Sequence, residues 1–277
     1  MRKLKKLGPK EGENRVQVSA AQQAYVAAYL ARMKHIRIAQ ISILVFFLGL
    51  WEVATHFRMI DPFIFSSPSR IVECIAFMAK DGSLFYHLGI TILETFISFS
   101  LVITLGIAIA VLLWWNDSVS KVLEPYLVIL NSLPKSALAP VFIVWLGNNM
   151  KTIIVAAVSV AVFGSIITLY TDFKSVEEDK IKLIRTLGGT KKDILFKVVL
   201  PSNIPSIISV MKVNIGLSLV GVIIGEFLAA KAGLGYLIIY GSQVFKLDWV
   251  IMSIVILCIL AAMLYKLLAW LEKKYQS

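Results

Sequence analysis

Residues 88–113 read LGITILETFISFSLVITLGIAIAVLL, a stretch in which Glu94 is the single ionisable side chain. A helix needs about 20 mainly apolar residues to cross the hydrocarbon core of a bilayer. This stretch meets that length. Trp114-Trp115 follow as an interfacial aromatic pair, and Asn116-Asp117 as a tight polar turn. Similar runs lie on both sides, at about Ile38–Thr55, Thr152–Tyr170, Pro205–Ala229 and Trp249–Leu268.

A further apolar region, about Val122–Leu146, carries Pro125, Pro134 and Pro140 together with Glu124, Asn131 and Lys135. Proline removes a backbone donor and kinks a helix. In lipid that is tolerated where protein or water satisfies the freed carbonyl. The pattern predicts a kinked or broken span turned toward the bundle interior, ended by Gly147-Asn148-Asn149. The whole is an all-α membrane protein of about six transmembrane helices. Residues 1–37 form a basic N-terminal segment, 38–270 the transmembrane domain and 271–277 a charged tail.

Composition agrees. Of 277 residues, 58% are hydrophobic, and the mean hydropathy is +0.81. Soluble proteins average about 45–50% apolar. The net charge of +11 sits mainly between and beside the apolar runs. That distribution fits membrane orientation and attraction to anionic lipid, and it argues against a nucleic-acid partner. Cys74 and Cys258 have neither metal-like nor CxxC spacing and read as unpaired small apolar residues. Arg2, Lys3, Lys5 and Lys6 resemble the start of a signal peptide, but no apolar run follows them at once. The first run is expected to be a retained helix. Before it, Val26, Leu30 and Met33 recur at helical spacing, and the segment reads either as a short surface helix or as a solvated tail. Ile71, Ile75 and Met78 predict a short amphipathic helix after the break at Asp61-Pro62 and Ser66-Ser67-Pro68.

With an even number of spans both termini share one side. That side carries Lys121, the basic N-terminus, the tail, and Lys174, Lys180, Lys182, Arg185, Lys191, Lys192 and Lys197 of one loop. The other side holds Arg58, Arg70, Lys80, Lys151, Lys231 and Lys246. The asymmetry predicts cytoplasmic termini.

The loop, 171–203, reads as folded. Ser175 and Glu178 have capping-box spacing. Acidic residues Glu177–Asp179 precede Lys180, Lys182 and Arg185, as the helix dipole prefers. Val176, Leu183, Ile184 and Leu187 give an apolar face, and Gly188-Gly189 a stop. Thr190 and Asp193 repeat the cap, and Pro201 is expected to end the unit. Two short helices with a sharp elbow follow. They serve either to fit a groove on another protein or as a passive connector on lipid headgroups.

Residues Lys182–Pro201 resemble the permease signature of binding-protein-dependent ABC importers: Glu-Ala-Ala, three residues, Gly, nine residues, Ile, one residue, Leu-Pro. Gly188, Val198 and Leu200-Pro201 match in register, whereas Lys182-Leu183-Ile184 replaces Glu-Ala-Ala. The motifs at Pro62, Pro68-Ser69-Arg70, Pro134-Lys135, Pro140, Trp145-Leu146-Gly147, Gly225-Glu226 and Gly233-Leu234-Gly235-Tyr236 are similar to those of nitrate/sulfonate/taurine permeases.

The resemblance implies an importer-permease (MetI-like) bundle in a bacterial inner membrane, with segment 171–203 as a cytoplasmic coupling helix pair. It implies coupling residues Lys182, Leu183, Ile184, Arg185, Thr186, Leu187, Gly188, Gly189, Lys192, Leu200 and Pro201. Its partners would be two copies of an ATP-binding subunit, a second permease copy and an extracytoplasmic binding protein. The solute would be small and anionic, such as a sulfonate, nitrate or taurine, or a thiamine-precursor-like pyrimidine. No Walker sequence occurs, so ATP and Mg would be held by another chain and no cofactor by this one. Catalytic and metal residues are not expected: the spans lack a cluster for intramembrane chemistry, and His35, His56 and His87 are isolated. An ion-gradient-driven transporter or channel is the competing reading.

Candidate pathway residues are Asn131, Pro134, Lys135 and Glu226. Charge within a span usually faces a bundle interior or water. Lys135 either attracts an anion or satisfies carbonyls freed by the prolines. Glu226 is expected to be structural at the outer gate. Glu94 lies near an expected interface. Gly221 and Gly225 form a small-xxx-small pair that permits close helix contact.

Overall fold

The computed structural model describes residues 20–275, which divide into two units at Met59–Ile60. Arg2, Lys3, Lys5 and Lys6, with the rest of 1–19 and the last two residues, lie outside the described residues. The first unit is helix α1, Ala20–His56. Sequence reading separates a surface helix near Val26 from a span beginning near Ile38. The structure joins them without a break, because good helix formers run through the junction and no proline interrupts it.

In the second unit, α2 (Pro62–Phe65) and α3 (Pro68–Lys80) start on the caps Asp61 and Ser67, each followed by proline at the first helical position. Ile71 and Met78 of α3 turn inward as their spacing predicts. Helix α4 is Ser83–Trp115. Asn116 caps α5, Asp117–Ser132, by accepting from Ser118 N and Val119 N. The chain breaks at Leu133-Pro134, and α6, Lys135–Leu146, leaves at 95° to α5. Gly147 at φ +82° and the cap Asn149 turn it into α7, Met150–Lys174.

After α7 come α8 (Glu178–Thr186), α9 (Lys191–Ile194), a π-turn at Leu195–Val199, α10 (Leu200–Ser202) and α11 (Ile204–Ala229). Helix α12, Leu234–Gln243, and α13, Leu247–Tyr275, complete the chain. Among the described residues, five helices are long and apolar enough to cross a membrane, and the bent α5–α6 pair is a sixth candidate.

One contact and the order of the elements decide that this pair crosses. Lys191 Nζ donates to the Trp115 carbonyl at 2.6 Å, so α4 ends beside the elbow. Helix α7 also ends there, three residues before α8. Two helices that both run toward one side need a return between them, and α5–α6 is that return.

The core is built by α4, α7 and α11, which pack on one another. Gly221 and Gly225 make the close approach their spacing predicts. A Cβ at Gly221 would lie 2.6 Å from Ala157 Cα, and one at Gly225 would lie 2.9 Å from Ile153 Cα. Around Phe173, the residues Leu113, Ile166, Leu169, Ile194, Leu195 and Val199 form an apolar cluster that joins spans to elbow.

One expectation is corrected. Segment 122–146 does not turn wholly inward: most of α5 and α6 is exposed on the chain, and Ala139 is the residue of α6 that is buried. One face packs on α7, and an apolar opposite face is compatible with lipid or a second chain.

Candidate functional site

Three sites stand out. The first is the elbow. Helix α8 ends in Leu187 and Gly188, where Gly188 N donates to Arg185 O at 3.0 Å and Gly189 N to Ile184 O at 2.9 Å. The two glycines are needed for different reasons. Gly188 sits at φ +77°, which disfavours a side chain. A Cβ at Gly189 would fall 2.4 Å from Ile184 Cγ2. The second cap forms as the spacing predicts: Thr190 Oγ1 receives Asp193 N, and Asp193 Oδ2 receives Thr190 N at 2.9 Å. Lys197, 2.7 Å away, and Thr190 hold the Asp193 carboxyl well below the usual carboxylate range.

The first cap does not form. Ser175 closes α7 and its hydroxyl donates to Asp172 O, while Glu177 precedes α8 without a side-chain cap. Having served one helix end, Ser175 is unavailable to the next. Pro201 does not end the unit either. The helical backbone runs from the π-turn through it to Ser202, and Asn203 makes the bend into α11.

The apolar face of α8 is split. Val176, Ile181 and Ile184 pack on the core cluster. Leu183 and Leu187 are 60% and 75% exposed, and Phe196 beyond the turn is 65% exposed. Of the other expected coupling residues, Lys182, Arg185, Thr186, Gly188 and Lys192 are exposed beside them, Gly189 is half-buried, and Leu200 and Pro201 follow the π-turn. Lys182 reaches Glu178 and Asp179 at 3.3 and 3.5 Å.

Lys191 anchors the elbow to α4. Besides its bond to the Trp115 carbonyl, its ammonium lies 5.7 and 5.6 Å from the Trp114 and Trp115 rings. Two adjacent tryptophans at a span end were legible as an interface marker. Their basic partner 76 positions later was not.

The second site lies at the opposite end of α11. Glu226 is 1% exposed. Its Oε1 accepts from Thr91 Oγ1 at 2.7 Å and its Oε2 from Gly235 N at 2.5 Å. Thr91 Oγ1 in turn accepts from Leu234 N at 2.8 Å, and His87 Nδ1 from Gly233 N at 3.0 Å. Three successive N–H groups at the start of α12 are thereby held by α4 and α11 side chains. Gly233 at φ +118° brings the backbone against the carboxylate, and a Cβ there would meet Oε1 at 2.3 Å. His87 stacks on Tyr236 at 6.0 Å. Buried Glu94 lies near the Glu226 carboxyl, and its Oε2 meets no hydrogen-bond partner among the described residues. Sequence reading singled out Glu226, Gly233 and Gly235 but left His87 isolated and Glu94 at an interface. Here both belong to this cluster, a pairing that spans more than 130 positions. On the same side, Arg70 pairs with Asp248 at 2.7 Å and ties α3 to α13.

The third site is the α5–α6 break. Asn131, Pro134 and Lys135 meet there, and Glu226 belongs to the separate cluster just described. The Lys135 ammonium donates to the Asn131 carbonyl, one of the acceptors the broken helix leaves open. Asn131 also lines a cavity of about 370 Å³ between α5, α7 and α11.

Residues 102–276 match the model of a family described as "Binding-protein-dependent transport system inner membrane component". The chain belongs to this family. The match takes in the elbow, the cavity, and Glu226 with Gly233–Gly235, whereas His87, Thr91 and Glu94 of the cluster precede it. The chain is 32% identical over 189 residues to the formylaminopyrimidine transport permease ThiX of Halalkalibacterium halodurans, covering 68% of this chain and 74% of the relative. It is 25% identical to the putative aliphatic sulfonates transport permease SsuC of Bacillus subtilis, over 82% of each. It is 22% identical to the taurine permease TauC of Escherichia coli, over 85% of this chain and 86% of the relative.

The fold resembles that of the MetNI methionine ABC transporter in an inward-facing crystal form, with TM-score 0.58 at 20% identity over 67% of this chain and 92% of that one. It also resembles an amino acid ABC transporter crystallised with histidines, with TM-score 0.59 at 17% identity over 72% and 97%. The binding-protein-dependent permease is thus a multi-pass inner-membrane transport component of an ABC importer, with no strand among the described residues.

Proposed function

We propose that this permease works as one of two copies around a shared solute path, driven by two ATP-binding subunits docked on the elbow and loaded by an extracytoplasmic binding protein. The elbow lies in the cytoplasm with both termini, as the basic residues of 171–203 favour. ATP and Mg are bound by the partner. The solute is small and polar, of the sulfonate, taurine or formylaminopyrimidine kind named for the relatives.

One observation carries this reading. The elbow is capped at Thr190–Asp193 and rooted in the core through Ile194, Leu195 and Val199, yet it holds Leu183, Leu187 and Phe196 exposed. A mere connector gains nothing from exposed leucines on a fixed helix end, whereas a docking handle needs them. Closure of the ATPase pair would pull the elbow, and Lys191 would pass that motion to α4.

Affinity purification of the permease from cells expressing its operon tests this. An ATP-binding subunit should co-purify, hydrolysis should reside in the complex and not in the isolated permease, and crosslinks from Arg185 or Lys192 should reach that subunit. Uptake that persists with no such capture would refute it.

A further inference from the structure

At the end of the bundle away from the elbow, a pocket of about 670 Å³ opens between α3, the loop after α12 and the first turn of α13. Four charged side chains line it, and they fall into two sets. Arg70 and Asp248 are engaged with each other and with the chain. Arg70 donates to Asp248 at 2.7 Å and to the Pro62 carbonyl at 2.9 Å, and Ser66 Oγ donates to the second Asp248 oxygen at 2.6 Å. Lys246 and Glu73 are different. Both are exposed, and neither makes an ion pair among the described residues.

The Lys246 ammonium stands 4.3 Å from the centroid of the Trp249 ring. Both residues sit where the candidate span Leu247–Lys273 begins, the level at which lysine and tryptophan meet lipid headgroups. Phe63, Phe77 and Phe245 also line the pocket, and all three are exposed. Phe245 is held at φ +56°, in the left-handed region that a bulky side chain avoids. It is 69% exposed, so burial within the chain does not offset that strain. Strain kept where the chain gains little packing points to an occupant from outside the chain.

We infer that this pocket seats the headgroup of a zwitterionic phospholipid from the surrounding bilayer, with the phosphate at Lys246, the ammonium at Glu73 and the acyl chains along the exposed phenylalanines. The charge of the lining fits that occupant. Arg70 and Lys246 balance Glu73 and Asp248, and Lys246 and Glu73 are the two left to pair with a ligand. Phosphatidylethanolamine satisfies both. Phosphatidylglycerol would satisfy Lys246 and set its negative charge beside Glu73. A docked protein is the other conceivable occupant. It would have to reach down to the level at which α13 enters hydrocarbon, where lipid is already present. The inference needs only that the chain spans a membrane, so it stands apart from the docking of an ATPase on the elbow.

Photocrosslinking tests it. The full-length permease is reconstituted in nanodiscs made of equal parts phosphatidylethanolamine and phosphatidylglycerol, with a trace of one or the other carrying the same photoreactive acyl chain. Crosslinked peptides are mapped by mass spectrometry, and the yield on residues 62–80 and 243–249 is read as a share of all crosslinks. The phosphatidylethanolamine tracer is expected to exceed the phosphatidylglycerol tracer there at least fivefold. K246Q should lower the phosphatidylethanolamine yield at least fivefold. E73Q should bring the two tracers within twofold of each other. F245G relieves the left-handed backbone, so it should lower the yield at least threefold without lowering Tm.

Equal yields from the two tracers in the unmodified permease would mean ordinary boundary lipid and would overturn the inference. So would an undiminished phosphatidylethanolamine yield in K246Q or F245G. If K246Q does not fold, E73Q decides, because Glu73 makes no ion pair that its loss could break, and an unchanged preference in E73Q overturns the inference. The yields are read again with the binding protein of the same operon in excess. Unchanged lipid labelling supports the lipid occupant, and labelling that falls to the phosphatidylglycerol level assigns the pocket to the protein and overturns it.

Discussion

The two ends of α11 are built on opposite plans. At the Glu226 end, a buried carboxylate, a threonine and a histidine collect the N–H groups that begin α12. At the elbow end, the caps and ion pairs within 177–197 are local, Lys191 and Lys212 reach out to the Trp115 carbonyl and to Glu272, and the apolar side chains Leu183, Leu187 and Phe196 face outward. The first end pairs the leading N–H groups of α12 within the chain. The second is finished as a shape but not as a surface. Buried polar contacts fix the chain at one end, and on the proposed reading the exposed apolar residues at the other are where a partner grips it.

The comparison breaks most readily at Glu226. Glu226→Ala would orphan the Gly235 amide and Thr91 hydroxyl in a low-dielectric site and should destabilise the permease by about 3 kcal/mol. Thermal unfolding in detergent would show this, and an unchanged Tm would mean that the closed end is not a structural lock. A smaller cost is expected midway along the helix, where α11 meets α7. Gly221→Val forces a side chain against Ala157 and should cost about 2 kcal/mol, measured in the same assay.

At the open end the effect should change character. Leu187→Asp should leave unfolding unaltered, because the side chain touches little in the chain. It should weaken recovery of the ATPase subunit about tenfold, equivalent to about 1.4 kcal/mol. Destabilisation of the isolated permease by this change would erase the distinction between the two ends.

The smallest effect concerns the cap that shapes the elbow. Thr190→Ala should cost about 1 kcal/mol, confined to amide-exchange protection of residues 191–195. The Asp193 carboxyl is held below its ordinary value, so its contribution is present above the ordinary carboxylate pKa of about 3.9 and is lost as pH falls through the lowered value. Protection of the elbow should therefore be level from pH 8 to about pH 5. A drop within that window would remove Asp193 from the cap.

Much of this was legible because the signals are local. Apolar runs that cover a bilayer, glycines after an amphipathic stretch and a threonine three residues before an aspartate all act within a few turns of chain. The membrane class, the spans, the Gly188 stop and the Thr190 cap followed from them. The broken third span was equally readable, since Pro134 carries its own constraint. Where two ends compete for one side chain the reading failed: Ser175 has capping spacing for α8 but closes α7.

What only the tertiary structure decided are pairings between residues far apart in the chain. No periodicity announces that Glu94 and His87 join Glu226, or that Lys191 grips Trp115. Residue order fixes which helices form, because backbone hydrogen bonds close within four residues. Which faces of those helices meet depends on packing between distant segments. The same composition can satisfy a buried carboxylate in many ways, and the folded chain selects one.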